Sequence, residues 1–232
     1  MSKKHTLTIK FKLKREKATF NLKYKYIKRF ENERPMALDI LLQAQENGLD
    51  DLAFRYGCRA RNCGVCTIDV NSRPRLACRA RVKEGDTLSP IATLPVVKDF
   101  IVKRDRISRQ MYGYNNISYK NDINIEADSS YHNLTSCIEC YACLDGCPMH
   151  AKNNISVIDN NKAYEYGNPY SLLKIQRLLI DPLTPENEKQ LLIEKAEKLG
   201  LDICKECPGC KCGVGIDLKK EVIQPLLLNA KK

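Results

Sequence analysis

The sequence predicts an α+β chain in two parts, strands first and helices second. Three observations predict it. Apolar residues alternate with period two from Leu7 to Tyr26, and they recur at helical spacing from Leu172 onward. The 12 cysteines fall into three groups of four, one in the strand-rich part and two in the helical part.

Leu7, Ile9, Phe11 and Leu13 share one face of an extended segment, and Phe20, Leu22, Tyr24 and Tyr26 repeat the pattern. Arg15-Glu16-Lys17 separates them, which predicts a β-hairpin. Pro35 opens a helical stretch carrying Leu38, Leu41 and Leu42, and Gly48 is placed to end it. Hairpin, helix, then a cysteine loop is the order of a β-grasp ferredoxin. Short strands are expected at Thr67 to Val70 and around Leu76 to Val82, giving a first domain over residues 1–105. Residues 106–133 lose periodicity and gather Asn, Ser, Asp and tyrosines such as Tyr112, Tyr114 and Tyr119, as a linker would. Residues 134–232 are expected to form an all-α domain. Leu172, Leu173, Ile175, Leu179 and Ile180 mark one helix, read as core packing with a partner-docking face as the alternative. Thr184-Pro185 caps a second helix that Gly200 closes, and a last one runs from Asp217 towards Asn229 with Pro225 kinking or splitting it.

Composition narrows the class. With 43% apolar residues in 232, the chain is globular. No stretch approaches the roughly 18 apolar residues of a membrane span. Met1-Ser2-Lys3-Lys4-His5 leads into alternating residues with no apolar signal-peptide core, so a cytoplasmic protein is expected. The net charge of +11 comes from lysines scattered along the chain; it is read as solubility and steering towards acidic partners, with no nucleic acid bound. In a reducing compartment 12 cysteines are ligands of metal or iron–sulfur centres rather than six disulfides.

The first group, Cys58, Cys63, Cys66 and Cys78, reads C-x4-C-x2-C followed by eleven residues and a fourth cysteine. This is the plant-type [2Fe–2S] spacing with a shortened last gap. A flat two-iron rhomb needs three thiolates from one tight loop and a fourth from a nearby turn. Gly57 and Gly64 allow backbone N–H groups to approach the sulfurs, while Arg59, Arg61 and Arg79 add positive charge. Zinc draws its ligands from close pairs, so the three-in-one loop disfavours it.

The run CIECYACLDGCP, with Cys137, Cys140, Cys143 and Cys147, has the bacterial ferredoxin spacing C-x2-C-x2-C-x3-C-P. In that pattern the first three cysteines hold one cubane and the fourth serves another. A second group downstream is therefore expected, and Cys204, Cys207, Cys210 and Cys212 provide it. Two cubanes shared in this way staple a helical domain, whose fold should fail without them.

Together these motifs resemble the iron–sulfur subunit of the succinate dehydrogenase and fumarate reductase family, over nearly the whole chain. GCRARNCGVC, LAC and LSPIATLPVVKDFIV are similar to its first domain; CIECYACLDGCP and NPYSLLKIQRLLIDP are similar to its second. The resemblance implies an electron wire without bond chemistry of its own. An FAD-containing partner subunit interconverts fumarate and succinate, the [2Fe–2S] centre lies nearest that flavin, and the other clusters lead to a membrane quinone site or another donor. It also implies peripheral attachment to the inner face of a membrane through partner subunits.

The sequence departs from the family in three places. The family's last motif is typically C-x5-C-x3-C-P; Cys204 and Cys210 fit, but the third position is Val214 and the proline position Gly215. Cys207 is additional and Cys212 comes two residues early. The expected assignment is a [4Fe–4S] on Cys137, Cys140, Cys143 and Cys212, and a third cluster on Cys147, Cys204, Cys207 and Cys210. The third is read as [4Fe–4S] in preference to the [3Fe–4S] typical of the family. Secondly, the chain has no tryptophan, whereas quinone-reducing members place one after the Cys-Pro; here Met149-His150-Ala151 follows, with His150 read as a solvated or capping residue. Finally, thiol-dependent fumarate reductases carry appended Cys-Cys-Gly modules, which are absent here, so a thiol or disulfide partner would sit on another polypeptide. The competing readings are the same wire serving a different flavoprotein and, from another class, a zinc-stabilised interaction protein.

Overall fold

The computed structural model describes residues 5–16, 18–114, 125–159 and 162–231. The chain divides into two compact units, Met1–Lys103 with Ser156–Ile158, and Arg104–Ile155 with Asp159–Lys232.

In the first unit, β1 (Thr6–Arg15) and β2 (Ala18–Ile27) pair antiparallel, from Thr6 opposite Ile27 to Arg15 opposite Ala18. Alternation sends Ile9, Phe11 and Leu13 into the core and Lys10 and Lys12 outward. Helix α1 (Ala37–Glu46) buries Leu38, Ile40 and Leu41, and the Asp39 carboxylate accepts the Met36 N–H at 2.9 Å to hold its first turn. Five short strands complete a seven-stranded sheet: β3 (Thr67–Val70), β4 (Arg73–Leu76), β5 (Thr87–Ser89), β6 (Val96–Lys98) and β7 (Ile101–Val102). The order is β4-β3-β5-β1-β6-β7, with β2 paired to β1, and β5 runs parallel to β1, which is the β-grasp arrangement. Phe11 stacks on Tyr24 at 5.6 Å and meets the edge of Phe100 at 5.9 Å at the centre of the core.

The strand expected around Leu76 to Val82 ends early. Arg79 and Ala80 both donate to the Leu76 carbonyl, so the chain turns there, and only a bridge between Met36 and Arg81 follows. A continuous strand would have sent Ala77 outward after Leu76, whereas Ala77 and Cys78 are both buried. Near the sheet's far end, Asp99 is fully buried. Its carboxylate takes Arg15 Nε at 2.7 Å, Arg15 Nη2 at 3.0 Å and the Ala53 N–H at 3.0 Å.

The second unit is helical. Residues 106–133, expected as a linker, begin within α2 (Asp105–Ser108) and a 3-10 turn at Arg109–Met111, and end within α3 (Ser129–Thr135). Positions 115–124, including Tyr119, lie outside the described residues. Three further helices follow, α4 (Pro148–Ala151), α5 (Pro169–Leu179) and α6 (Glu186–Lys198), with 3-10 turns at Ala142–Leu144 and Leu201–Cys204. Asn168 caps α5 through the Ser171 N–H at 3.0 Å, and Leu172, Leu173 and Ile175 are core residues, as their spacing predicts.

Thr184 does not cap α6. Its hydroxyl donates to the Leu178 carbonyl at 2.6 Å, satisfying the C-terminal end of α5, while Pro185 in extended conformation precedes α6. Pro225 neither splits nor ends the last helix. Its ring and missing N–H would conflict with the Glu221 carbonyl in an α-helix, and the backbone opens into a π-helical turn at Lys219–Ile223 before α7 (Gln224–Asn229).

Candidate iron–sulfur centres

Residues 57–66 wrap into a loop in which Arg59, Arg61 and Gly64 all take left-handed backbone angles (φ 54°, 65° and 65°). Such successive turns point N–H groups inward. Ala60 N and Asn62 N donate to Cys58 Sγ at 3.3 and 3.2 Å, and these bonds lower its thiol to about 7. Cys66, on the buried side, is pushed up to about 11 by burial, with the Cys78 and Cys63 thiols beside it. Cys78 reaches this loop through the turn after β4, with Ala77 N bonded to the Cys66 carbonyl at 3.0 Å. The four thiols of the first group thus share one neighbourhood. A Cβ at Gly57 would meet Cys63 Sγ at 3.4 Å, an ordinary contact distance, so Gly57 lies directly beside the sulfurs. Arg59 covers the Tyr56 ring at 5.3 Å.

In the helical unit the run 137–143 lines a cavity with Cys137, Cys140 and Cys143 on one side and Cys212, Gly213 and Val214 on the other. Burial raises Cys140, and Cys212 adds to it; Cys143 is raised well above an ordinary thiol, by burial and then by Cys140, Cys137 and Cys212. Glu139 and Tyr141 alternate with these cysteines in left-handed backbone (φ 53° and 58°), which costs strain unless neighbours hold them. Lys174 on α5 donates to Glu139 at 2.6 Å; Tyr170 packs edge-on against Tyr141 at 5.0 Å, and Arg104 lies 4.9 Å over the Tyr141 ring. Gly213 completes the cavity wall. A Cβ on it would stand 3.2 Å from Cys140 Sγ, tight enough that the sulfur would have to give by a few tenths of an ångström.

The remaining four cysteines also meet. Burial pushes Cys204 up to about 12, followed by Cys210, Cys147 and Cys207; it pushes Cys210 to about 12 as well, followed by Cys147 and Cys207. Lys219 Nζ reaches the Cys207 and Pro208 carbonyls at 3.5 and 3.4 Å, pinning the loop that carries them. Cys147 opens α4, with its sulfur accepting the His150 N–H at 3.4 Å. His150 itself is not solvated: its ring is buried edge-on against Tyr164 at 5.3 Å. A four-residue helix makes a single turn, too short for a periodic pattern to disclose which of its residues are buried. The supporting residues Lys174, Arg104, Tyr170 and Lys219 carry no motif either, being remote in sequence from the cysteines they hold.

The donor set fits iron–sulfur clusters. Each group offers four thiols, and in the helical unit Cys137, Cys140, Cys143, Cys147, Cys204 and Cys210 are raised by burial first, so deprotonating them together requires a compensating cationic core. Among the described residues, no three His, Cys, Asp or Glu side chains converge tightly enough to hold a single metal ion. Thiolates that bind different irons of one cluster stand further apart than ligands sharing one ion. Backbone N–H groups aimed at sulfur, and a glycine at 213 where a Cβ would crowd one, are features such cores need.

The two units and their cysteine neighbourhoods define an iron–sulfur protein built on an N-terminal ferredoxin-type domain. The family described as "2Fe-2S iron-sulfur cluster binding domain" matches residues 8–109. The chain is 29% identical over 201 residues to a subunit of the CoM/CoB fumarate reductase of Methanothermobacter marburgensis, covering 84% of this chain and 38% of that protein. It is 30% identical over 129 residues to the fumarate reductase iron-sulfur subunit of Escherichia coli O157:H7, covering 50% of this chain and 52% of the relative. A solved chain of the Mycobacterium smegmatis Sdh1 complex in the apo form superposes with a TM-score of 0.76 at 20% identity, over 98% of this chain and 96% of that one, and so shares its fold. The chain is thus similar to iron–sulfur subunits of fumarate reductases, and its first part matches a 2Fe-2S cluster binding domain. It spans 38% of the length of the Methanothermobacter marburgensis relative and 52% of the Escherichia coli one. No helix among the described residues is long and apolar enough to cross a membrane.

Proposed function

We propose that the chain is the electron-transfer subunit of a fumarate reductase or succinate dehydrogenase-type complex, relaying electrons between an FAD-containing partner subunit and an outer donor or acceptor. The observation that carries this is the gathering of 12 cysteines into three four-thiol neighbourhoods, each completed by a residue remote in sequence: Cys78, Cys212 and Cys147. A bound cluster supplies one-electron acceptance and release at constant geometry. Cys58, Cys63, Cys66 and Cys78 would hold a [2Fe–2S] centre; Cys137, Cys140, Cys143 and Cys212 a [4Fe–4S]; Cys147, Cys204, Cys207 and Cys210 a second [4Fe–4S]. The position of Cys207 beside Cys147, Cys204 and Cys210 supports a fourth iron there rather than a three-iron cluster.

The protein's own part is to set potentials and exclude water. Ala60 and Asn62 N–H groups stabilise negative charge on Cys58, and Lys174 and Arg104 place positive charge near Cys137 and Cys140. Both effects favour the reduced, more negative state. Burial of Cys66, Cys140 and Cys147 opposes it.

A second reading concerns only the outer electron partner. The relative from Methanothermobacter marburgensis is a fumarate reductase named for CoM/CoB, and the present chain has no tryptophan, which favours a thiol or disulfide partner over a quinone. Mixing the reduced, cluster-loaded chain with its FAD-containing partner and then adding fumarate tests the proposal. Cluster absorbance should return to the oxidised form only when both are present. Reoxidation that needs no fumarate, or that fails with an active flavoprotein, contradicts it.

A further inference from the structure

The lysines that look scattered in the sequence are not scattered in the fold. We propose that the outer face of the β1–β2 hairpin docks this chain directly onto an anionic lipid surface. Of the outward positions on the two strands, five are lysine (Lys10, Lys12, Lys14, Lys23 and Lys25) and none is acidic. Lys10 stands directly opposite Lys23 in the register, a like-charge pair that a sheet selected for stability alone avoids. Among the described residues, none of the five makes an ion pair. The nearby Glu84 carboxylate is engaged by the Thr8 N–H at 2.8 Å.

Protection of an exposed strand edge explains only part of this. Lysine on β2, which pairs on one side alone, discourages edge-to-edge association. But β1 is an interior strand, paired with β2, β5 and β6, and it carries three of the five. Lys10 to Lys14 extends the patch about 14 Å along the strand.

The chemistry of the patch selects its partner. A protein interface would be expected to centre on aromatic or arginine anchors, and lysine is depleted from such centres. A nucleic-acid face would carry arginine forks or stacking rings. The outward positions hold neither, only lysine, threonine, asparagine and Ile27. A flat array of flexible, strongly hydrated ammonium groups is suited to diffuse attraction by anionic headgroups, without insertion.

The test is sedimentation of the full, cluster-loaded chain with phosphatidylcholine vesicles containing about one-third phosphatidylglycerol, at about 0.05 M salt. The wild type should bind these vesicles and not pure phosphatidylcholine, and about 0.5 M salt should release it. The variant K10Q/K12Q/K23Q/K25Q should weaken binding on the order of a hundredfold. K83Q/K198Q/K220Q/K231Q, with the same net charge, should cost less than about threefold. The face variant should melt no lower than wild type, because it removes the Lys10–Lys23 repulsion; should it melt lower, K12Q/K25Q gives the same reading at about tenfold. Absence of wild-type binding, equal losses in both quadruple variants, or tighter retention on an oligonucleotide than on the vesicles would overturn the proposal.

Discussion

Gly213 gives the sharpest single-residue consequence of the cavity around Cys140. A Cβ there would stand 3.2 Å from Cys140 Sγ and 3.6 Å from the Ala142 Cβ, in a backbone conformation that any residue adopts. Gly213→Ala therefore carries no backbone penalty and acts only by crowding one sulfur. In a cluster-free protein the thiol can rotate away. Once Cys140 is bonded to iron it cannot, and overpacking of this kind costs about 1–3 kcal/mol. Spread over a unit of this size, that corresponds to a fall in melting temperature of about 5–15 °C for the loaded protein. The assay is thermal unfolding with iron content and EPR of the reduced protein, measured in parallel. The [2Fe–2S] signal should be unchanged, while the signal from the Cys137, Cys140, Cys143 and Cys212 centre shifts or is lost. Gly215→Ala is the matched control, with a left-handed backbone (φ 99°) but open space around its Cβ; it should cost stability without touching any cluster signal. Wild-type iron content, spectra and melting in Gly213→Ala would refute the reasoning, and with it the placement of Cys140 as a ligand facing Gly213.

Other consequences follow from the same geometry. Cys207→Ser should remove about one iron per chain and produce an oxidised-state three-iron EPR signal; unchanged iron and spectra would reject Cys207 as a ligand. Asp99→Asn keeps the left-handed backbone that Asp99 adopts but loses the charge-assisted pairing with Arg15. It should destabilise the first unit by about 1–2 kcal/mol in denaturant unfolding, whereas no change would mean that solvent screens the pair fully. Burial, then its hydrogen bond to Glu33, raises the Tyr26 hydroxyl from 10.0 to about 12. Because the folded value lies above the unfolded one, stability is intact below pH 10 and falls by about 1.4 kcal/mol per pH unit up to pH 12. Tyr26→Phe should lose that slope, and a parallel alkaline fall in both proteins would contradict the assignment.

Much of this was legible in the sequence, for physical reasons that differ by element. The period-two run from Leu7 to Leu13 and the helical spacing of Leu172 to Ile175 record one-sided burial over many residues, so β1 and α5 emerge directly. Strands β5, β6 and β7 have two or three residues each, too few to display any period. Thr184 and Pro185 satisfy the pattern of a helix start, but the hydroxyl has two helix ends within reach and bonds the earlier one. Cysteines that share a tight loop announce themselves by their spacing; Lys174, Arg104 and Gly213, which shape the cavity, are brought to it only by tertiary folding. The lysine face lay within reach of sequence reasoning, since hairpin register plus alternation already sets Lys10 opposite Lys23.

The central claim, that three four-thiol groups hold iron–sulfur clusters in series, is tested most directly by metal and sulfide analysis of anaerobically purified protein, with EPR of its reduced form. The account predicts brown protein with about ten irons and matching acid-labile sulfide, and three interacting reduced-state signals. Colourless protein carrying zinc, or cysteines recovered as disulfides, would contradict it.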